Sequence, residues 1–110
     1  MSNQDTSLLP ACPVETTLTL ISNRWRVLIL RDLMKGPLRF GELKRSIGSI
    51  TQKVLTSNLR SMEEQGLLTR TVFPEVPPRV EYELTELGYS LKPVLDSMSE
   101  WGADYKGRLG

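Results

Sequence analysis

Residues 49–68 read SITQKVLTSNLRSMEEQGLL, and two features of this stretch decide the fold. Ile50, Val54, Leu55, Leu59 and Met62 recur at the spacing of one helical face, and Gly66 stands where a helix-terminating glycine is expected. Ser49, with Gln52 three residues later, has the form of a capping box that opens the helix. The outward face is unusual in composition. It carries Gln52, Lys53, Thr56, Ser57 and Arg60, with Glu63 and Glu64 only at the far end. Amides, hydroxyls and cations in place of the usual Glu/Lys mixture are the groups that exchange hydrogen bonds with base edges and phosphates.

Upstream, Leu38 to Phe40 can form a short strand, followed by a short helix near 41–47 with Leu43 and Ile47 apolar. Gly48-Ser49 turns the chain into the long helix. Before these, Asn23 can cap a helix over 24 to about 35, with Trp25, Leu28, Ile29 and Leu33 inward, which Gly36-Pro37 stops. Pro13 opens a first helix with Val14, Leu18 and Ile21 on one face. Downstream the period changes from helical to twofold. Residues 68–73 and 79–84 read as two strands, with Val80, Tyr82 and Leu84 alternating with Arg79, Glu81 and Glu83 around a PEVPP connector. Thr85 then caps a final helix, on which Leu84, Leu87, Leu91, Val94, Met98, Trp101 and Tyr105 form a heptad-like seam. Pro93 should kink or break that helix.

Helix, short turn, helix and two-stranded hairpin, in that order, predict a mainly α (α+β) winged helix-turn-helix whose second helix enters the major groove. The 110 residues read as one domain. Its parts are a flexible tail over 1–12, dimerisation helices over 13–22 and 86–107, the helix-turn-helix over 37–65 and the wing over 67–84. Gln52 suits adenine, Lys53 and Arg60 reach guanine or phosphate, and the methyls of Thr51 and Thr56 suit thymine. Thr51 and Ser57 can instead engage their hydroxyls in capping or with a backbone carbonyl. Arg39, Lys44 and Arg45 flank the first helix of the pair and can grip phosphates, or simply be solvated cations. Arg79, beside the stiff hairpin tip, suits a minor groove, or pairs across the strands with a glutamate.

Charge is distributed in the same sense. The net charge is +1, yet residues 24–70 hold ten bases against four acids, while the flanking segments are acidic. A basic central segment points to double-stranded DNA as the partner. The seam of the last helix, through Leu91, Val94, Met98, Trp101 and Tyr105, together with Val14, Leu18 and Ile21 of the first, predicts a two-fold homodimer. Such a dimer presents two recognition helices about one turn of DNA apart, or a multiple of it. The other reading folds these helices back on the monomer.

There is no histidine and only one cysteine, and no P-loop, dinucleotide fingerprint or metal-ligand spacing, so neither an enzyme nor a cofactor or metal is implied. No basic leader or membrane-length apolar run is present, which suggests a cytoplasmic protein and no membrane partner. Cys12 directly precedes the first helix, where the helix dipole favours a thiolate and Glu15 opposes it. A protein-interaction module built on the same fold is the alternative from another class.

Taken together, CPVETTLTLI, NRWRVLILRDL, GPLRFGELKRSI, SITQKVLTSNLRSMEEQGLLTR, VPPRVEYELTELGYSL and PVLDSMSEWG closely resemble the HxlR family of bacterial winged helix-turn-helix regulators, relatives of the MarR group. The resemblance implies a homodimeric transcription factor, in contact through its first and last helices. It also implies that Cys12 matches an N-terminal cysteine that senses electrophiles or oxidants in several family members, sometimes through a bond between subunits. A small-molecule effector at the dimer interface is the other source of a signal. One departure is Arg24, where the family commonly has lysine before the tryptophan; charge is retained.

Overall fold

The structure, a computed structural model, describes residues 8–110, and most of the expected 1–12 tail lies outside the described residues. The elements are α1 (Pro13–Ile21), α2 (Arg24–Leu33), β1 (Leu38–Arg39), α3 (Phe40–Ile47), α4 (Gln52–Glu64), β2 (Leu68–Phe73), β3 (Arg79–Leu84), α5 (Glu86–Tyr89) and α6 (Lys92–Leu109). The chain is therefore mainly helical with a small antiparallel sheet, as the sequence predicts.

Local chemistry explains the boundaries. The Asn23 side chain accepts from the Arg26 amide and caps α2. At the other end of the helix pair, α4 finishes with two crossing bonds: the Gly66 amide donates to Glu63 O at 3.0 Å and the Leu67 amide to Met62 O at 2.9 Å. This closure needs the positive φ of +80° that Gly66 adopts, a conformation disfavoured for residues with a Cβ. The start of α4 differs from expectation. Ser49 and Gln52 form no capping box; Thr51 is the cap, its hydroxyl accepting from the Val54 amide at 3.1 Å. Ile50, which precedes it, is drawn into the core at 2% exposure, and this burial moves the cap two residues along the chain.

The expected two-stranded wing gains a third strand. Strand order is β1-β3-β2, with β2 and β3 paired from Leu68↔Leu84 to Phe73↔Arg79, and β1 adding Leu38↔Tyr82 and Arg39↔Glu81. β1 thereby ties the start of α3 to the wing, so the helix pair and the hairpin share a frame. One core joins them: Ile29, Leu30 and Leu33 of α2, Leu43 of α3, Leu55, Leu59 and Met62 of α4, and Leu67, Leu68, Tyr82 and Leu84 around the sheet.

The last helix is not continuous over 86–107. Thr85 caps α5 by accepting from the Gly88 amide, and its hydroxyl donates to Gly66 O at 2.6 Å, joining the end of α4 to the start of α5. The chain turns at Ser90-Leu91, and Pro93 enters α6 in its first turn, where its missing N–H costs nothing. The break divides the predicted seam. Leu91 is buried and Val94 half-buried against the core, whereas Leu87, Met98, Trp101 and Tyr105 remain exposed. Ile21, at 5% exposure, is also a core residue. Ile21 and Leu91, both expected at a dimer interface, thus pack inside the protomer, because α1 ends against α2 and the α5–α6 turn closes over the core.

Candidate nucleic-acid interface

On α4 the side chains of Gln52, Thr56 and Arg60 stand at i, i+4 and i+8 and form a ridge. One shallow hollow beside it is bordered by Lys53 and Ser57 as well. The other lies between α4 and the sheet and is floored by Phe40, Leu59, Val80 and Tyr82, with Arg70 of β2 on its far wall. At about 1.5 Å of rise per residue the ridge is roughly 12 Å long, comparable to the width of the DNA major groove.

The availability of these groups matters as much as their placement. Gln52, Lys53, Ser57 and Arg60 are exposed and Thr56 is half-buried. Among the described residues, the side-chain hydrogen bonds and ion pairs of this part of the fold use Thr51, Asn58, Ser61 and Gln65, and none uses Gln52, Lys53, Thr56, Ser57 or Arg60. A polar face left unsatisfied by its own protein is a face that a ligand can satisfy. Thr51 is the exception, since its hydroxyl is engaged as the cap; only its methyl remains for contact with a base.

The basic residues around the ridge divide into two groups. Arg39 is exposed at the start of α3, its amide donating to Glu42 at 2.8 Å, and Arg45 is exposed while Lys44 is half-buried. Arg39 caps the helix that leads into α4, Lys44 and Arg45 lie on it, and all three keep their cations unpaired among the described residues. Arg79 behaves differently. Its guanidinium pairs with Glu75 at 3.0 Å and Glu81 at 3.3 Å and lies 4.0 Å over the Phe73 ring. The guanidinium is thus already engaged within the wing, yet the expected cross-strand glutamate is not its partner: Glu75 belongs to the PEVPP connector and Glu81 to β3 itself, and the contact across the hairpin is with the Phe73 ring.

Three further residues escape the sequence reading. Arg70 borders the same hollow as Gln52 and Arg60; as one base in a strand of mixed polarity it carries no distinguishing signal. Asn58 receives a hydrogen bond from Asn23 at 3.3 Å and donates to Val54 O at 2.9 Å. Arg26 is buried at 6% exposure. For Arg26 a signal was available, because it lies three, four and seven residues before Ile29, Leu30 and Leu33 and so shares their inward face.

Cys12 is exposed at the N-cap position of α1, its carbonyl accepting from the Thr16 amide at 3.0 Å. Just beyond it Val14 and Leu18 are 68% and 49% exposed. Met98, Trp101 and Tyr105 of α6 are likewise large apolar side chains left exposed by the protomer; Trp101 and Tyr105 stack with ring centroids 5.4 Å apart. Among the described residues no group of three His, Cys, Asp or Glu is placed to hold a metal, and no helix is long and apolar enough to cross a membrane.

A helix pair whose second helix bears an unengaged polar ridge, framed by a small antiparallel wing, defines a winged helix-turn-helix DNA-binding regulator. The chain belongs to the HxlR-like helix-turn-helix family, whose family model matches residues 20–109. Over 98 residues it is 46% identical to an uncharacterized HTH-type transcriptional regulator, YdeP of Bacillus subtilis strain 168, covering 89% of this chain and 77% of that protein. Among solved structures, the redox regulator HypR in its reduced form superposes with a TM-score of 0.84 at 42% identity, covering 89% of this chain and 97% of that one. The transcriptional regulator YodB from B. subtilis, in its reduced form, superposes with a TM-score of 0.74 at 40% identity, covering 84% and 91%. These relatives are transcriptional regulators, not enzymes, and this chain is a DNA-binding transcriptional regulator of the same family.

Proposed function

We propose that the protein is a repressor that binds a roughly palindromic promoter site as a homodimer, and that Cys12 makes binding responsive to thiol oxidants or electrophiles. The observation that carries the reading is the position of Cys12. It stands at the N-cap position of the helix on which Val14 and Leu18 are exposed, so in the proposed dimer a covalent change there acts where two subunits meet. In each subunit α4 lies in the major groove, with Gln52, Lys53, Thr56, Ser57 and Arg60 toward the bases and the methyl of Thr51 beside them. Arg39, Lys44, Arg45 and Arg70 hold phosphates. Repression follows from obstruction of polymerase, and release follows when the spacing of the two α4 helices changes.

The redox half of the proposal is supported by two similar proteins: HypR, described as a redox regulator in oxidised and reduced forms, and YodB, which has been solved reduced and after diamide treatment. Two Cys12 thiols joining across a dimer would give one disulfide, with two electrons and two protons passing to the oxidant. The test compares affinity for the duplex that the reduced protein selects from a random-sequence library before and after mild thiol oxidation, for wild type and Cys12→Ser. A change that requires Cys12 supports the sensor. Tight binding that ignores oxidation makes Cys12 structural and moves the signal to a small molecule at the dimer interface.

A further inference from the structure

We propose that Arg26 is a positioning residue for DNA reading: its buried guanidinium locks α4 to the last turn of α1, so that the two helices move together. The inference rests on α4 being the helix that reads DNA.

Arg26 reaches the interior because of where it falls on α2, on the face of Ile29, Leu30 and Leu33. There it meets three acceptors from two other elements. Nη1 donates to Leu20 O at 2.8 Å and to Gln65 Oε1 at 2.5 Å, and Nη2 donates to Ser61 Oγ at 2.5 Å. Leu20 belongs to the last turn of α1, where carbonyls lack partners within the helix and the dipole is negative. Ser61 lies in the last turns of α4 and Gln65 caps it.

All three acceptors are neutral. Among the described residues none of the ion pairs includes Arg26, and burial lowers its pKa from the ordinary arginine value, the direction expected for a desolvated cation. The group nevertheless stays protonated, since arginine does not lose its proton in proteins. A carboxylate could follow a moving guanidinium through a range of geometries. Three neutral acceptors divided between two helices hold a planar fork in one place only. If α1 shifts without α4, or α4 without α1, at least one bond opens and a buried charge is left under-satisfied, which is costly.

The rest of that flank of α4 is built in the same way. Asn58, Ser61 and Gln65 stand at i, i+3 and i+7, and Asn58 is bonded to Asn23, the cap of α2. This stripe faces the α1–α2 junction, and at 3.6 residues per turn it points away from the ridge of Gln52, Thr56 and Arg60. One side of α4 is thus free for a ligand and the other is bolted to the helix that carries Cys12, Val14 and Leu18. No other described side chain touches both α1 and α4 through hydrogen bonds.

The test measures affinity for the duplex selected by the wild-type protein and for a scrambled duplex of the same composition, with sedimentation to follow assembly. Variants are Arg26→Met, Arg26→Lys and Gln65→Met; the last removes an acceptor on α4 and leaves the buried cation and its bond to α1 in place. Expected is a fall of about tenfold or more in the ratio of the two affinities for Arg26→Met and Gln65→Met, the scale of one lost bond to a charged group. Assembly and scrambled-duplex affinity should be unchanged, and Arg26→Lys, which keeps the charge, should recover part of the ratio. A role in stability alone would lower the melting temperature and leave that ratio, measured well below melting, at its wild-type value. If Arg26→Met does not fold, Gln65→Met decides: a folded Gln65→Met with the wild-type ratio overturns the proposal. A wild-type protein that selects no duplex at all would overturn the DNA-reading role of α4, and the positioning role with it.

Discussion

The Arg79 guanidinium lies over the Phe73 ring, its carbon 4.0 Å from the centroid, while Glu75 and Glu81 hold it from the sides. A cation so placed stiffens the wing and has little charge left to offer a phosphate. Arg79→Ala should therefore leave the slope of log affinity against log salt unchanged, and lower stability by about 0.5–1 kcal/mol through the lost stacking. Arg70→Ala should reduce that slope by about one, as expected for one phosphate contact. Titrations at several salt concentrations check both, and the opposite pattern would return the DNA contact to Arg79.

Gln52 and Arg60 border the same two hollows from opposite ends of the α4 ridge. Replacing either with alanine should cost about 1–3 kcal/mol on the selected duplex and spare binding to scrambled DNA. Equal losses on both duplexes would assign the residue to phosphate in place of a base.

Met98 and Trp101 are 45% and 69% exposed on α6, large apolar groups with no cover in the protomer. In the proposed dimer a charge introduced there is buried without a partner, so Met98→Asp or Trp101→Glu should raise the dimer dissociation constant by about tenfold or more. Sedimentation velocity reads the change, and unaltered behaviour would place the interface elsewhere. Leu91→Ala should act differently. Its side chain is 8% exposed within the core cluster, so the loss, on the order of 2–5 kcal/mol, should fall on protomer folding.

Gly88 fixes how closely α5 approaches the sheet. A Cβ at this position would collide with Leu67 O and press on the Leu84 side chain. Gly88→Ala should destabilise the fold by about 1–3 kcal/mol, measured by denaturant unfolding. An unchanged midpoint would mean that α5 has room to shift.

The legibility of this fold in its sequence varied with how local the controlling interaction is. The boundaries of α1, α2, β2 and β3 and the stop at Gly66 follow from caps, prolines, glycines and periodicity within a few residues. The polar face of α4 was readable for the same reason: helical spacing alone puts Gln52, Thr56 and Arg60 together. What could not be read depended on contacts between distant segments. Ile50 enters the core and moves the cap to Thr51; the short strand expected at Leu38 finds its partner in Tyr82 of the wing; the turn at Ser90-Leu91 sends half of an apparently continuous seam inward. Arg79 meets neither expected partner: the fold of the PEVPP loop brings Glu75 beside it, and Glu81 reaches it along the same strand.

In the proposed dimer the free face of each α4 reads DNA. The most direct measurement is affinity for a duplex selected from a random-sequence library, followed over a range of salt concentrations alongside scrambled DNA. Expected are tight binding to the selected duplex, weaker binding to the scrambled one, two subunits per site, and a steep loss of affinity as salt rises. Failure to select any sequence, or a shallow salt dependence with one subunit bound, would overturn the role of α4 as the reading helix.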